Sequence, residues 1–386
     1  MAGASAYHSP DPCTDDGEHA APDAGTSIPV VDFDALVNGA AEQRAQAVRD
    51  VGRACQDWGF FMQVVNHGVP EDLKEAFMEA CEELFSSPEE EKAEYLEAEP
   101  MAPVRVGSGF YAAVDGAQYW RDYFKMFAHP ELHCPATPAK LREVATEYAA
   151  RTRALLLSLA TAVSESLGLA GGRVSEAMRL DSCFQILVAN RYPPHAAGPG
   201  LGLGLPAHTD HGFLTLLFQN GVDGLQVHHG GRWLLARPLP GAFFVIAGDQ
   251  LEVVATQRTR RRRRRPGAAH LYSLRLVSRV LVTDCVRAQI VSNGRYRGVL
   301  NGRYRGVLHR AVVDGERARM SMVSMISPCL DTVVEPVPEL ADGRGLQFRG
   351  VRYRDYMEHQ QSNKLDGKAA LDIARVQRVV TAGTQN

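Results

Sequence analysis

Nowhere in this chain do apolar residues run for the ~18 positions that a membrane-crossing helix requires. The first 27 residues, rich in Ala, Asp, Pro and Gly, contain no apolar segment of the kind a secretory signal needs and read as a disordered tail. Cysteine is sparse: Cys13, Cys55, Cys81, Cys134, Cys183, Cys285 and Cys329 are scattered without a CxxC pair. That spacing excludes zinc ribbons and a disulfide framework, and fits a reducing compartment. A cytoplasmic monomer is the expectation. Net charge is small as well, −3 from 42 Lys and Arg against 45 Asp and Glu, but the balance is uneven. Residues 255–291 carry ten Arg and one Asp, leaving about −12 for everything else. A nucleic-acid-binding protein spreads its basic residues over one face rather than massing them in one segment. Binding to nucleic acid is therefore the weaker reading, and binding to membrane has no support.

What is present is a long chain, 386 residues with 45% hydrophobic, enough for a sizeable core. Ile28–Asp32 reads as a short strand. Val48, Val51, Cys55 and Trp58 recur at three- and four-residue spacing, as on one face of a helix. Met62–Val65 reads as a strand, and Leu73, Phe77, Cys81 and Leu84 as the buried side of a second helix. Thr137-Pro138 suits the start of a long helix to about Leu167, with Thr137 as N-cap. From Cys183 the texture changes to short apolar runs broken by Gly, Pro and Asp: Phe184–Val188, Leu214–Phe218, Leu225–Val227, Phe243–Ile246, Val307–Val313 and Met320–Ile326. Such spacing predicts a sandwich or barrel. The fold class is α+β, with helices buttressing a β core.

Five segments follow: a tail at 1–27, an N-terminal domain at 28–135, linking helices at 136–180, the β domain at 181–330, and a helical C-terminal segment at 331–386. One stretch does not belong to this pattern. Asn293–Leu300 recurs without change at Asn301–Leu308, and Arg260–Arg265 precedes it as six consecutive arginines. Segment 255–291 reads as an insertion between two strands. Removing it and one octapeptide copy would shorten the Asp210-to-His309 spacing from 99 residues to 54.

The chemistry concentrates in His208-Thr209-Asp210 and the distant His309. Residues two apart on a strand point to one side, so a strand bearing His208 and Asp210 offers two ligands on one face. Two imidazoles and one carboxylate leave the other face of an octahedral metal open, as in non-haem Fe(II) sites. Arg319-Met320-Ser321 adds a carboxylate-binding group: guanidinium pairs with carboxylate in two hydrogen bonds and stays charged. Tyr192 in Asn190–Pro194 offers a further donor. Asp314-Gly315 signals a hairpin. A two-residue loop there would put His309 and Arg319 on opposite faces; a three-residue loop with Gly315 left-handed would set them directly across from one another. The chemistry calls for the second.

Together with IPVVDF, WGFFMQVVNHGVP, NRYPP, HTDHGFLTLLFQ, GLQV, GDQLEVV, NGRYRGVLHRAVV and ERARMS, these residues resemble the plant 2-oxoglutarate- and Fe(II)-dependent dioxygenases, the group of flavanone 3-hydroxylases, flavonol synthases and salicylate hydroxylases. The resemblance runs from Ile28 to about Leu330. It implies a double-stranded β-helix, or jelly roll, with flanking helices. It implies iron held by His208, Asp210 and His309, and 2-oxoglutarate held at its distal carboxylate by Arg319, Ser321 and Tyr192, with Asn190 nearby. O₂ is the second cosubstrate; an ascorbate-dependent oxidase on the same fold, needing no 2-oxoglutarate, is a smaller alternative. The implied reaction hydroxylates or desaturates a small specialised metabolite while 2-oxoglutarate is decarboxylated to succinate. Within the family, His195 replaces a common Cys, and the 45 extra residues before His309 interrupt the sheet that delivers the third ligand. A catalytically dead relative, with His309 held away from the metal, is the alternative.

Other candidates are weaker. Phe110, Tyr111, Phe124, Phe184 and Phe213 are candidates for an aromatic substrate pocket, each equally suited to core packing. His211 falls outside the triad. His228-His229 reads as an exposed turn, His67 as a packing residue, Asp249 as a turn residue, and Arg317 as an exposed partner of Glu316.

Overall fold

The computed structural model describes residues 27–59, 61–96, 98–111, 118–195, 202–255, 304, 306–340, 348–362 and 369–376. Segment 256–303, with the arginine run and the first octapeptide, lies outside the described residues, as does the tail at 1–26.

The chain enters as β1 (Val30–Asp32), α1 (Phe33–Val37), α2 (Ala41–Asp57) and β2 (Phe61–Val65). It continues through α3 (Glu71–Ser86), α4 (Glu89–Lys92), β3 (Val104–Tyr111), β4 (Gln118–His129), α5 (Ala139–Ser166) and α6 (Arg173–Met178). Then come β5 (Phe184–Tyr192), β6 (Leu203–His208), β7 (Leu214–Gln219), β8 (Leu225–His229), β9 (Arg232–Leu235) and β10 (Phe243–Ala247). The remainder comprises α7 (Asp249–Val254), β11 (His309–Val312), β12 (Arg319–Ser327), β13 (Val333–Val334), β14 (Val351–Arg352) and α8 (Tyr353–Ser362).

Two sheets make the core. The large one has order β1-β2-β10-β7-β12-β5-β4-β3, and the small one β6-β11-β8-β9. The large sheet therefore draws strands both from residues 28–135 and from 181–330. Its outer face is covered by helices, as hydrophobic periodicity predicts. Val51 and Cys55 of α2 and Leu73, Phe77, Cys81 and Leu84 of α3 are all buried, and Phe77 stacks on Tyr148 of α5 at 4.5 Å. A buried polar link fixes α5 to the sheet: Ser324 Oγ donates to Thr152 Oγ1 (2.9 Å), and Gln185 Nε2 donates to Ser324 Oγ (3.0 Å). Buried polar groups need such partners, so this contact also sets the register of helix on sheet.

Several expectations need correction. Helix α5 begins one residue late: Pro138, not Thr137, is its N-cap, with no side-chain cap. The pair β3–β4 had no counterpart in the apolar runs, because its inward face is polar. His228 and His229 end β8 rather than forming an exposed turn. Trp58 stacks on His229 at 4.1 Å, and the turn is left to Gly230 and Gly231, both with positive φ. Among the described residues of the C-terminal segment, Tyr353–Ser362 is α-helical and Ala369–Ala374 is 3₁₀ rather than α.

The largest correction is the 309–321 hairpin, which does not form. β11 lies between β6 and β8 in the small sheet, while β12 lies between β5 and β7 in the large one. Both edges of each strand are already occupied, so neither can pair with the other. Between them the Asp314 carboxylate accepts the backbone N–H groups of Glu316 (2.9 Å) and Arg317 (2.8 Å), a local turn that carries the chain across to the facing sheet. Gly315 is not left-handed.

Candidate metal centre

His208 closes β6 and pairs directly with His309, the first residue of β11. Asp210 stands two residues beyond the strand end, so strand alternation does not place it. The loop is set instead by the start of α7, whose free N–H groups need acceptors. Asp249 N donates to Asp210 O (2.8 Å), Gln250 N to Gly212 O (3.1 Å) and Gly248 N to Phe213 O (3.0 Å). A Cβ at Gly248 would sit 2.1 Å from the Gly212 carbonyl oxygen, so glycine is required for this approach. Asp249 is thus a buried helix-start residue, not a turn residue, and it accepts from Tyr356 Oη of α8 at 2.7 Å.

The three side chains meet. Potential ligand atoms of His208, Asp210 and His309 all lie within 4.8 Å of one another. Asp210 Oδ1 is 3.9 Å from His208 Nε2 and 3.6 Å from His309 Nε2. Each imidazole is oriented from behind: His208 Nδ1 lies 2.8 Å from Pro206 O, and His309 Nδ1 3.1 Å from Val307 O. A carbonyl only accepts, so both Nδ1 atoms carry the proton and both Nε2 lone pairs face Asp210. Burial, followed by repulsion from His309, holds His208 well below the ordinary histidine range, despite the opposing pull of Asp210. Neutral imidazole is the form that ligates a metal. Asp210 Oδ2 is buried without a hydrogen-bond partner, a cost that a cation would remove.

Across the cavity the large sheet presents a second polar set. Alternation along β5 and β12 turns Asn190, Tyr192, Arg319 and Ser321 inward, and Tyr192 pairs with Arg319, Asn190 with Ser321. Arg319 is 1% exposed. Its Nη2 donates to Gln219 Oε1 (2.8 Å), its guanidinium lies over the Tyr192 ring at 5.0 Å, and Nε and Nη1 have no partner. Burying a charge in this way is costly unless an anion completes it. Asn190 Nδ2 donates to Ser321 Oγ (3.2 Å), which leaves the serine proton free for an incoming acceptor. Two glycines make room: a Cβ at Gly204 would fall 2.3 Å from Tyr192 Cδ1, and one at Gly224 2.7 Å from Arg319 Cδ. His309 and Arg319 therefore converge on one cavity from opposite sheets rather than along a hairpin.

The remaining candidates separate. Phe124 and Phe213 lie in the main hydrophobic core, and Phe184 packs with Ile186 and Met325; none of the three lines the cavity. The backbones of Phe110 and Tyr111 belong to β3, and their side chains lie outside what is described. His211 is held by Tyr353 Oη at 2.9 Å, and His67 by Gly241 O at 2.7 Å. Arg317 pairs with Asp314, not Glu316. Sequence reasoning missed Arg121, Val188, Thr215, Leu217, Ile246, Val323, Met325 and Gln360, all of which line the cavity. A signal was available in residues 121–126, where buried Phe124 and Met126 interleave with the polar residues Arg121 and Lys125.

Comparison with known proteins agrees with this geometry. Residues 28–145 match the family model for the non-haem dioxygenase in morphine synthesis N-terminal region, and residues 183–270 that of the 2OG-Fe(II) oxygenase superfamily. The 2-oxoglutarate-dependent dioxygenase 19 of Oryza sativa subsp. japonica is 61% identical over 350 residues, 90% of each chain. Flavanone 3-dioxygenase 2 of the same organism is 34% identical over 355 residues, covering 90% of this chain and 87% of the relative. Among solved structures, JOX2 in complex with 2OG, Fe and JA superposes with TM-score 0.71 at 25% identity, over 91% of this chain and 90% of that one. A match spanning both halves of the fold, and a 61% identical relative over nine-tenths of the length, leave one conclusion: this chain belongs to the 2OG-Fe(II) oxygenase superfamily and is a 2-oxoglutarate-dependent dioxygenase with a jelly-roll core.

Proposed function

We propose that His208, Asp210 and His309 hold the iron, and that Arg319, Ser321 and Tyr192 hold the distal carboxylate of 2-oxoglutarate, with Asn190 orienting Ser321. The observation that carries this reading is the buried Arg319 guanidinium with two unpartnered N–H groups, facing the His/Asp cluster across one cavity. Iron bound there supplies the activation of O₂ and the oxidising step. The protein's part is placement. The carbonyls of Pro206 and Val307 hold the two imidazoles in the ligating tautomer, and the start of α7 fixes Asp210. The Tyr192 face and Gln219 confine Arg319, so a five-carbon dicarboxylate anchored there presents its other end to the metal.

The substrate is a small specialised metabolite, which the enzyme hydroxylates or desaturates. Support comes from the relatives, one of them a flavanone dioxygenase by name, and from the apolar wall of Val188, Leu205, Leu217, Ile246, Val323 and Met325 that faces the site. His309 sits beside His208 despite the long excursion before it, which weighs against a dead relative. The five described cysteines are free thiols, as a cytoplasmic setting favours. No helix among the described residues is long and apolar enough to cross a membrane. The test is succinate release by the full chain with Fe(II), 2-oxoglutarate and O₂ over a panel of flavonoids, phenolic acids and hormone-like acids. Absence of 2-oxoglutarate binding to the Mn(II)-loaded protein would defeat the reading.

A further inference from the structure

Besides Arg319, two further guanidiniums line the cavity, those of Arg121 and Arg310, and neither the metal nor the cosubstrate uses them. Arg121, on β4, lines the same cavity as the His/Asp cluster and Arg319. Its Nε donates to Asn190 Oδ1 at 2.7 Å, and its guanidinium lies over the Tyr123 ring at 5.0 Å. The ring has room because β3 carries glycine opposite it: a Cβ at Gly107 would lie 2.6 Å from Tyr123 Cε1. Three features thus hold one cation in place, while among the described residues its two Nη groups have no hydrogen-bond acceptor and no ion-pair partner.

The neighbours do not neutralise it. Arg105 and Lys125 share the inward side of β3 and β4, and neither has a carboxylate partner among the described residues. Lys125 Nζ donates to Pro100 O at 2.9 Å, and the Arg105 guanidinium lies over the Tyr123 ring at 5.8 Å. Arg191, one strand over, points outward and is satisfied by Asp122 and Glu82. The acids of this region therefore serve the outer face and leave the inner face positive.

Counting charge in the working site sharpens the point. On the reading given above, a divalent iron with Asp210 carries +1, and 2-oxoglutarate with Arg319 carries −1. Those cancel. Arg310 is held over the Trp233 ring at 4.2 Å and donates to Gln226 Oε1 at 2.7 Å; Arg121 remains, a half-buried charge whose cost an anion would remove. The cosubstrate is not that anion, since its distal carboxylate is committed to Arg319 and the other to the metal.

We propose that Arg121 binds a carboxylate on the organic substrate, so that this oxygenase acts on a monocarboxylic acid whose apolar body lies against the cavity wall. The inference rests on the proposed function and narrows it: a neutral flavonoid would leave Arg121 uncompensated. A guanidinium with two free Nη groups matches a carboxylate in bidentate geometry.

The test uses the full chain loaded with Mn(II) and saturating 2-oxoglutarate, without O₂. Benzoate, phenylacetate, cinnamate and octanoate are titrated calorimetrically beside their primary amides. At least one acid binds about tenfold or more tightly than its amide, the scale of a charge-assisted pair. Arg121→Gln abolishes that preference and weakens amide and 2-oxoglutarate binding by much smaller factors, the latter only through the lost bond to Asn190, while Arg121→Lys keeps part of the preference. Failure of every acid to exceed its amide overturns the proposal, and so does an acid preference that survives Arg121→Gln. Equal losses for acid and 2-oxoglutarate would reassign Arg121 to the cosubstrate and also overturn it. Should Arg121→Gln not fold, the acid–amide comparison on the unaltered chain still decides. A chain that binds Mn(II) but no 2-oxoglutarate would instead refute the underlying function, a distinguishable result.

Discussion

The two sheets that face each other across the cavity do different work, and the contrast explains how the site is built. The small sheet contributes His208 and His309 as paired neighbours on β6 and β11, with each Nδ1 satisfied by the backbone carbonyl two residues before it. The large sheet contributes Asn190, Tyr192, Arg319 and Ser321 as a block on two paired strands, with the guanidinium left two N–H groups short. One side gathers lone pairs, the other gathers donors. A cation satisfies the first and an anion the second, so the apo protein carries two opposite electrostatic deficits that ligands complete. Ligand binding of this kind is also stabilisation of the fold.

The largest break comes at the small-sheet side. Asp210→Ala removes the only carboxylate of the cluster and abolishes both Mn(II) binding and succinate release. Because Asp210 Oδ2 has no partner in the ligand-free protein, the apo Tm should stay the same or rise. A variant that kept Mn(II) affinity would show that the metal is held elsewhere. At the large-sheet side, Arg319→Met should raise the 2-oxoglutarate Kd about 100-fold, the scale of losing two charge-assisted hydrogen bonds. Mn(II) binding in the same variant should change little. If metal and cosubstrate affinities fell together, the division between the sheets would be wrong.

Gly204→Ala sharpens the comparison, because Gly204 lies on β6 with His208 yet touches Tyr192 of the other sheet. The added Cβ would displace the Tyr192 ring from beneath Arg319, costing about 1–3 kcal/mol of stability by overpacking. We expect a roughly tenfold weaker 2-oxoglutarate Kd, about one charge-assisted hydrogen bond, with metal affinity nearly unchanged. Titration of the variant with 2-oxoglutarate and with Mn(II) separates the two effects.

Much of this division could be read from the chain, for physical reasons that also explain the failures. Helix faces such as Leu73, Phe77, Cys81 and Leu84 obey a periodicity that burial enforces, and the structure buries all four. His208, Asp210 and His309 were legible because a metal site needs a particular set of donors. How they are brought together was not. Asp210 is placed by the N–H groups of α7, a contact 39 residues away that no local spacing encodes. The supposed hairpin after His309 failed for a similar reason. Asp-Gly gives a turn, but strands whose edges are already paired in opposite sheets cannot pair with each other, and pairing across sheets is a non-local fact. Arg121 was missed because β4 turns its polar face inward, whereas alternation is ordinarily read with the apolar face inside. Phe124, on the apolar face of that strand, went to the core for the same reason.

The smallest expected effect tests that inverted strand. Lys125 follows Arg121 on the inward side of β4, where burial first and the charge of Arg105 second pull its amine down to about 8 from an ordinary 10.5. A lysine whose folded value is depressed is penalised while protonated in the folded state. That penalty is fully present below pH 8, fades as pH rises, and is gone above about 10.5, where both folded and unfolded chains hold a neutral amine. Lys125→Met carries no such penalty at any pH. The parent should therefore gain stability relative to Lys125→Met as pH goes from 8 toward 10.5, and run parallel to it below pH 7. Paired thermal melts across that range measure the difference. A difference flat through pH 10 would mean that the inner face of β4 is well solvated, and that the contrast between a donor-rich large sheet and a lone-pair-rich small one stops short of the β4 edge.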